Sequence, residues 1–222
     1  MPPLPSTPLT LHGGCDCTSI RYTITIPALP SRPIAYTDPT TGEVSRYPQS
    51  FLDHCNRCRR VSGSIIPAWI TVPQEWVTWT QICIPDNKIE NTTAELVHVP
   101  EQDDKNEKNG NSTGKLPVTN YISSPGVRRS FCSICGTNLA FVNLERDMGG
   151  EGRRVATVDI VLGSLERESL EVEGMWPERH EYWDSGVEWI KRLVTEGDEV
   201  LGGAGESGKV PRHPEGEWDV VV

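Results

Sequence analysis

The sequence lacks the long apolar segments and the basic character that suit a membrane protein or a nucleic-acid binder. No stretch approaches the roughly 18 consecutive apolar residues that mark a transmembrane helix. Met1 is followed by PPLP, without the basic start and apolar run of a secretory signal peptide. Lys and Arg number 21 against 31 Asp and Glu, so the net charge is −10. Because an acidic surface repels phosphates and anionic lipids, we expect no nucleic-acid or membrane partner. The missing signal peptide and transmembrane segment lead us to expect a cytoplasmic location.

What is present points to a turn-rich β protein. The chain has 222 residues, with 20 Gly and 18 Pro, which is a composition more typical of β domains than of helical bundles. Apolar and polar residues alternate over 19–26, as in a half-buried strand. Similar signals predict further strands, which cover 65–72, 76–84, 118–122, 128–134, 138–144 and 154–162. The predicted fold is therefore mainly β.

One helix is predicted near the C-terminal end, after a capping box formed by Ser185 and Glu188 and before a stop at Gly197. Residues 1–10 form a proline-rich segment, and 11–196 form a single domain. Residues 85–117 are polar and rich in Asn and Lys, which predicts a loop inserted in that domain. Residues 197–222 are interpreted as a Gly-, Glu- and Pro-rich tail.

The seven cysteines are the most informative feature. Six form pairs, Cys15 with Cys17, Cys55 with Cys58, and Cys132 with Cys135, while Cys83 stands alone on a predicted strand as a small buried hydrophobe. In a chain without a secretory signal, such pairs favour metal binding over disulfides. A thioredoxin-like redox pair is disfavoured, because no βαβ pattern surrounds either C-x-x-C motif.

Zinc is the expected metal, since it takes four soft ligands in a tetrahedron. Two pairs would complete one closed site, and the third pair could contribute to a second site with an open position. The spacing leaves three ways of combining the pairs. It also leaves open that all of them are purely architectural.

Several motifs, in order, resemble the family of glutathione-dependent formaldehyde-activating enzymes and centromere protein V, which has the Mss4-like fold. The matching segments are GCDC at 14–17, HCNRCRRVSGS at 54–64, RSFCSICGTNLAF at 129–141, VDIVLGSL at 158–165 and PERHEYWDSGVEW at 177–189. The resemblance spans residues 11–195 apart from 85–117. It implies a zinc-bound fold of small antiparallel sheets with one C-terminal helix.

The resemblance also implies two zinc ions. A structural ion would be held by Cys15, Cys17, Cys132 and Cys135. A catalytic ion would be held by a central cluster that reads C-x-C-x-x-C in the formaldehyde-activating members. Here Asp53 replaces the first cysteine, and since a carboxylate can bind zinc, Asp53, Cys55 and Cys58 would form a three-ligand open site. These three residues are the candidate catalytic residues.

The function implied is that of a zinc-dependent carbon–sulfur lyase acting on a glutathione adduct of an aldehyde or another electrophile. Its partner is then a small-molecule thiol adduct, with glutathione as co-substrate. The candidate substrate-binding residues are Arg59, Ser62 and His180. A plainer interpretation of each is open: Arg59 as a solvated charge, Ser62 as a turn residue and His180 as a structural histidine. The alternative function is a non-catalytic, zinc-stabilised interaction module, and the sequence leaves a homodimer open.

Overall fold

The structure is a computed structural model that describes residues 4–83, 87–97, 116–145 and 155–197. Within these ranges the chain forms thirteen strands. They are β1 (Leu9–Gly14), β2 (Ile20–Ile26), β3 (Ile34–Thr37), β4 (Val44–Arg46), β5 (Gln49–Asp53), β6 (Ala68–Pro73), β7 (Val77–Cys83), β8 (Asn87–Thr92), β9 (Val118–Ser124), β10 (Val127–Cys132), β11 (Asn138–Asn143), β12 (Thr157–Val161) and β13 (Arg179–Glu181). The α-helices are α1 (Asn56–Ser62), α2 (Thr93–Val97), α3 (Arg167–Leu170) and α4 (Glu188–Glu196).

The strands form two main sheets and one small ribbon. One sheet has the order β1-β2-β7-β8, and the other has the order β13-β5-β6-β12-β11-β10-β9. Strands β3 and β4 form the ribbon. All neighbouring strands are antiparallel except β13 and β5, which run parallel. The mainly β fold with a C-terminal helix is therefore confirmed, although α1, α2 and α3 were not predicted.

The predicted alternation on β2 is confirmed. Ile20, Tyr22, Ile24 and Ile26 are buried, whereas the residues between them are half-buried or exposed. They belong to the main hydrophobic core, which also takes Ile70, from β6 of the seven-stranded sheet. Burying each such aliphatic side chain stabilises the fold by about 1.5–3 kcal/mol.

The seven-stranded sheet has two different faces because successive strand residues point to opposite sides. Ile70 and Val72 of β6 face the main core. Trp69 lies on the other face and packs with Phe51 and Cys58 in a second, smaller cluster. The cross-strand register continues this second face from Trp69 to Val161. A polar and aromatic surface is thus available on the side away from the main core.

The predicted loop over 85–117 is wrong in its first part. Residues 87–92 form β8, which pairs with β7, and α2 follows directly. Leu96 and Val97 are buried, and the Trp79 indole donates a 3.1 Å hydrogen bond to Thr93. The prediction from composition therefore missed a polar edge strand, β8, and a short apolar helix, α2. Residues 98–115 lie outside the described part of the chain.

Other boundaries also shift. Strand β1 begins at Leu9, inside the segment predicted for 1–10. Helix α4 is capped by the backbone of Val187 and not by a Ser185 box, because residues 183–185 form a separate 3-10 turn. Gly197 ends α4 as predicted, with φ of 83°. Among the described helices none is both long and apolar enough to cross a membrane. The predicted tail from 198 onward and the side chain of Cys83 lie outside the described residues.

Candidate metal centres

Four cysteines from two distant turns meet at one point. Cys15 and Cys17 lie in the turn between β1 and β2, while Cys132 ends β10 and Cys135 lies in the turn that follows it. Their four Sγ atoms lie within 4.8 Å of one another. The first and third cysteine pairs therefore form one cluster, which is the combination that the family resemblance implied.

The sulfur spacing in this cluster suits a tetrahedral metal site. Cys15 Sγ lies 3.5 Å from Cys17 Sγ, and Cys17 Sγ lies 3.7 Å from Cys132 Sγ. A tetrahedron with metal–sulfur bonds of about 2.3 Å has edges of about 3.8 Å. The separations far exceed the roughly 2 Å of a disulfide bond, and all four cysteines are free thiols. The cluster can hold a metal ion with little rearrangement.

The two turns are shaped by local hydrogen bonds. Cys132 donates its backbone N–H to Thr137 O, and Gly136 donates to Cys132 O. Gly136 has φ of 78°, a left-handed conformation that glycine adopts without a steric cost. On the other turn, the N–H of Ile20 points to Cys15 Sγ at 3.2 Å. The backbone thus fixes the cysteines before any ion binds.

The thiols of this cluster differ in acidity. Burial raises the pKa of Cys15 to about 12. Slight desolvation acts against ionisation of Cys135, but hydrogen bonds led by the Thr137 hydroxyl outweigh it and lower its pKa to about 6. A bound divalent cation favours the deprotonated form of every ligand. The cluster therefore combines a thiol of lowered pKa with one of raised pKa, and a bound metal would deprotonate both.

The second cluster lies at the junction of β5 and α1. Asp53 ends β5, Cys55 precedes α1, and Cys58 is the third residue of that helix. One carboxylate oxygen of Asp53 and the two Sγ atoms lie within 4.8 Å of one another. Asp53 Oδ1 also accepts a 2.8 Å hydrogen bond from the backbone N–H of Cys55. The carboxylate is thus held next to both sulfurs, with three candidate ligands instead of four.

Cys58 is the more deeply buried of the two sulfur ligands in this cluster. Burial, reinforced by the neighbouring Asp53, raises the pKa of Cys58 to about 12. Arg129 opposes this shift, because its Nη2 donates to Cys58 Sγ at 3.4 Å. The guanidinium is itself buried and lies 4.8 Å from the centre of the Phe141 ring. A fixed positive charge therefore lies beside the second cluster.

A cleft of about 190 Å³ opens over the second cluster, and all three candidate ligands line it. Its walls are aromatic, formed by Phe51, Trp69, Phe141 and Tyr182. Its polar lining residues are Arg129, Asn143, Asp159 and Glu181. The cleft lies on the face of the seven-stranded sheet that points away from the main core. It gives a small molecule access to the three-ligand cluster.

A larger cavity of about 630 Å³ lies elsewhere, near Pro33, Gln74 and Ala94. Its described lining contains no cysteine or histidine, and Glu75 is its single ionisable side chain. Chemistry therefore favours the smaller cleft as the functional site.

The three predicted substrate-binding residues do not line the cleft. Arg59 donates to Asn56 Oδ1 at 3.4 Å, and the hydroxyl of Ser62 bonds to the carbonyl of Arg59 within α1. His180 is exposed and lies 2.9 Å from the buried His54, Nδ1 to Nε2. Its neighbours Glu181 and Tyr182 line the cleft instead. The roles of Arg59, Ser62 and His180 stay predictions without geometric support.

Sequence reasoning missed the residues that build the cleft walls. The sequence assigned no role to Arg129 and Phe141, which lie in a matching segment, or to Trp69, which lies in a predicted strand. The register aligns Arg129 with Phe141 across β10 and β11, and Phe51 with Trp69 across β5 and β6. The alternation of side chains in each strand predicts which residues share a face of that strand. It does not predict the order of the strands, which brings these residues together.

Comparisons with known proteins do not assign a function to this chain. No protein-family model matches the sequence, and a search of the curated proteins finds no match.

Proposed function

We propose that this protein is a zinc-dependent carbon–sulfur lyase of the formaldehyde-activating and centromere-protein-V type, acting on the glutathione adduct of an aldehyde or another electrophile. The observation that carries the proposal is the three-ligand cluster of Asp53, Cys55 and Cys58, which lies in a cleft open to a small molecule. A purely architectural metal site has no need of such access.

The donor sets of both clusters fit zinc. Four sulfurs at tetrahedral spacing suit a closed structural site, and two sulfurs with one carboxylate suit a site with a free position. When bound in the second cluster, zinc would supply a positive charge that lowers the pKa of a substrate thiol and keeps it as thiolate. Asp53, Cys55 and Cys58 would hold the ion.

The reaction needs no oxidant or reductant. In the adduct-forming direction a thiolate electron pair forms the carbon–sulfur bond, and the carbonyl π pair moves to oxygen. The proton lost by the thiol ends on that oxygen. In the lyase direction the hydroxyl proton leaves, the carbonyl re-forms, and the carbon–sulfur bond breaks with its electron pair on sulfur.

The cleft contains carboxylates that can accept or return this proton. Glu181 accepts from Arg179 at 3.0 Å, and Asp159 accepts from the Thr71 hydroxyl at 2.7 Å. Aromatic walls at Phe51 and Phe141 limit the access of water to the reacting atoms. The chain thus provides proton-accepting groups and a cleft with aromatic walls beside the three-ligand cluster.

The test measures how fast the protein equilibrates glutathione with a set of aldehydes, by exchange NMR at equilibrium. The zinc-loaded protein is expected to accelerate the exchange for at least one aldehyde, and Cys58→Ser is expected to abolish the acceleration. Cys83→Ser is the matched control, since the sequence predicts that Cys83 binds no metal. It should retain full acceleration.

Zinc content is measured on the same samples. Two equivalents per chain are expected in the wild type and one in Cys58→Ser. One equivalent in the wild type, with no acceleration for any aldehyde, would contradict the proposal and favour the non-catalytic interaction module.

A further inference from the structure

Two hydrogen-bond donors beside the cleft have no acceptor. Of the buried side-chain nitrogens and oxygens in the described part of the chain, four lack a partner, and two of these are Trp69 Nε1 and Arg129 Nη1. Both residues line the cleft, and they are only 2% and 4% exposed. Since roughly 90% or more of buried polar groups in proteins are satisfied, two unsatisfied donors at one cleft require an explanation.

Both groups can only donate. An indole N–H and a guanidinium have no acceptor atom, so whatever satisfies them must present an acceptor such as an oxygen lone pair. Arg129 cannot easily turn to find another partner. Its Nε donates to the Ser123 hydroxyl at 3.2 Å, its Nη2 donates to Cys58, and its plane lies over Phe141. Nη1 is therefore fixed next to a candidate metal ligand.

The charges of the cleft decide what kind of oxygen fits. Arg129 is the single cation in the described lining, against Asp53, Asp159 and Glu181. A divalent metal with both cysteines deprotonated adds no net charge. The cleft stays negative, and it would repel a carboxylate while accepting a neutral oxygen.

We propose that Arg129 and Trp69 are the donors that receive the neutral carbonyl oxygen of the ligand, next to the carbon that bonds to sulfur. This inference rests on the proposed function for the identity of the sulfur ligand. When the thiolate adds to that carbon, the oxygen gains negative charge, and donors already fixed nearby stabilise it most at that stage. The substrate class is then a compact carbonyl compound or its thiol adduct without a carboxylate beside the reacting carbon.

The experiment uses three thiols with different ends: mercaptoacetamide with a neutral carbonyl, mercaptoacetate with a carboxylate, and propanethiol with no acceptor. The protein is loaded with Co²⁺, and the sulfur-to-cobalt charge-transfer band reports binding. Mercaptoacetamide is expected to bind about tenfold more tightly than propanethiol, as one satisfied hydrogen bond would give. Mercaptoacetate is expected to bind more weakly than mercaptoacetamide.

Variants separate the donors from the fold. Trp69→Phe keeps an aromatic ring and removes the N–H, and Arg129→Met removes the guanidinium. Each should reduce the preference for mercaptoacetamide over propanethiol to less than about threefold, at unchanged cobalt content. Arg128→Met is the matched control, because Arg128 points to the opposite face of β10, and it should keep the full preference. An equal affinity of the wild type for the two thiols, or an unchanged preference in both variants, would overturn the inference.

A second readout does not depend on the metal. The Trp69 indole resonance, assigned by its loss in Trp69→Phe, is followed by NMR while acetamide is added. A downfield shift of the indole proton is expected, and no shift would contradict the inference. If no thiol changes the cobalt spectrum while acetamide shifts this resonance, the proposed function fails and the donor assignment stands.

Discussion

The two cysteine clusters use similar ligands in opposite surroundings. The first, Cys15 with Cys17, Cys132 and Cys135, joins turns of two different sheets, with Cys17 and Cys132 separated by 115 residues. The second, Asp53 with Cys55 and Cys58, is local in sequence and opens to a cleft. A metal that links distant segments stabilises the fold, whereas a metal held by one short segment with a free side is available for chemistry. The difference lies in connectivity and access more than in ligand type.

The largest expected effect is on folding, when the first cluster is broken. Cys132→Ser removes a buried ligand from the site that joins the sheets. We expect it to lower the free energy of unfolding by on the order of 5 kcal/mol and the Tm by at least about 10 °C. Calorimetry with metal analysis checks this result. A Tm within about 2 °C of the wild type would show that the first cluster does not stabilise the fold.

Breaking the second cluster is expected to separate activity from stability. Cys58→Ser should remove one metal equivalent and all acceleration of thiol–aldehyde exchange. It should cost only about 1–2 kcal/mol, since the change alters one buried group inside a local segment. Calorimetry of Cys58→Ser beside Cys132→Ser makes the comparison. Equal loss of Tm in the two variants would remove the distinction between the clusters.

We expect Asp53 to determine how tightly the second cluster binds a metal ion. Asp53→Asn keeps an acceptor for the Cys55 N–H but loses the negative charge, so we expect the second metal to bind about 10–100-fold more weakly. Asp53→Cys supplies a third thiolate and is expected to strengthen binding. Competition with a chromophoric chelator measures both affinities. If the metal affinity is the same with Asp, Asn or Cys at position 53, Asp53 serves only as the hydrogen-bond partner of Cys55.

The smallest expected effect concerns the hydrogen bonds around the first cluster. Thr137 Oγ1 lies 3.2 Å from Cys135 Sγ. It also accepts a 3.2 Å hydrogen bond from the backbone N–H of Asp16. Thr137→Val should cost about 1 kcal/mol and lower the Tm by about 2–4 °C. Thr25→Val, at an exposed position of β2, is the matched control and should stay within about ±0.5 kcal/mol. Equal effects of the two substitutions would show that Thr137 does not support the cluster.

Much of the fold could be predicted where a local pattern decides it. Strand β2 follows from its alternation, and the left-handed turn at Gly136 follows from glycine after a C-x-x-C motif. Helix α1 could not be predicted in this way, because it has seven residues, no side-chain cap and a single buried residue, Cys58. Strand β8 was missed by the sequence prediction, because a polar strand at the edge of a sheet has the composition of a loop.

The candidate site could be predicted as far as its ligands. Spacing grouped the cysteines in pairs, and the motifs pointed to Asp53 as a third ligand. Arg129 and Trp69 could not be assigned, because they reach the cleft through the order of seven strands. That order is set by long-range pairing, such as the pairing of β12 with β6, which no local periodicity encodes. The residues that line the cleft are for this reason less predictable than the paired cysteines.

The most direct test of the difference between the clusters is native mass spectrometry of the zinc-loaded protein during exposure to a chelator. Two zinc ions per chain are expected at the start, one lost rapidly and one retained. Cys58→Ser should start with one ion and show no rapid loss. A single zinc ion that resists the chelator, or two ions lost at the same rate, would contradict the assignment of one closed and one open site.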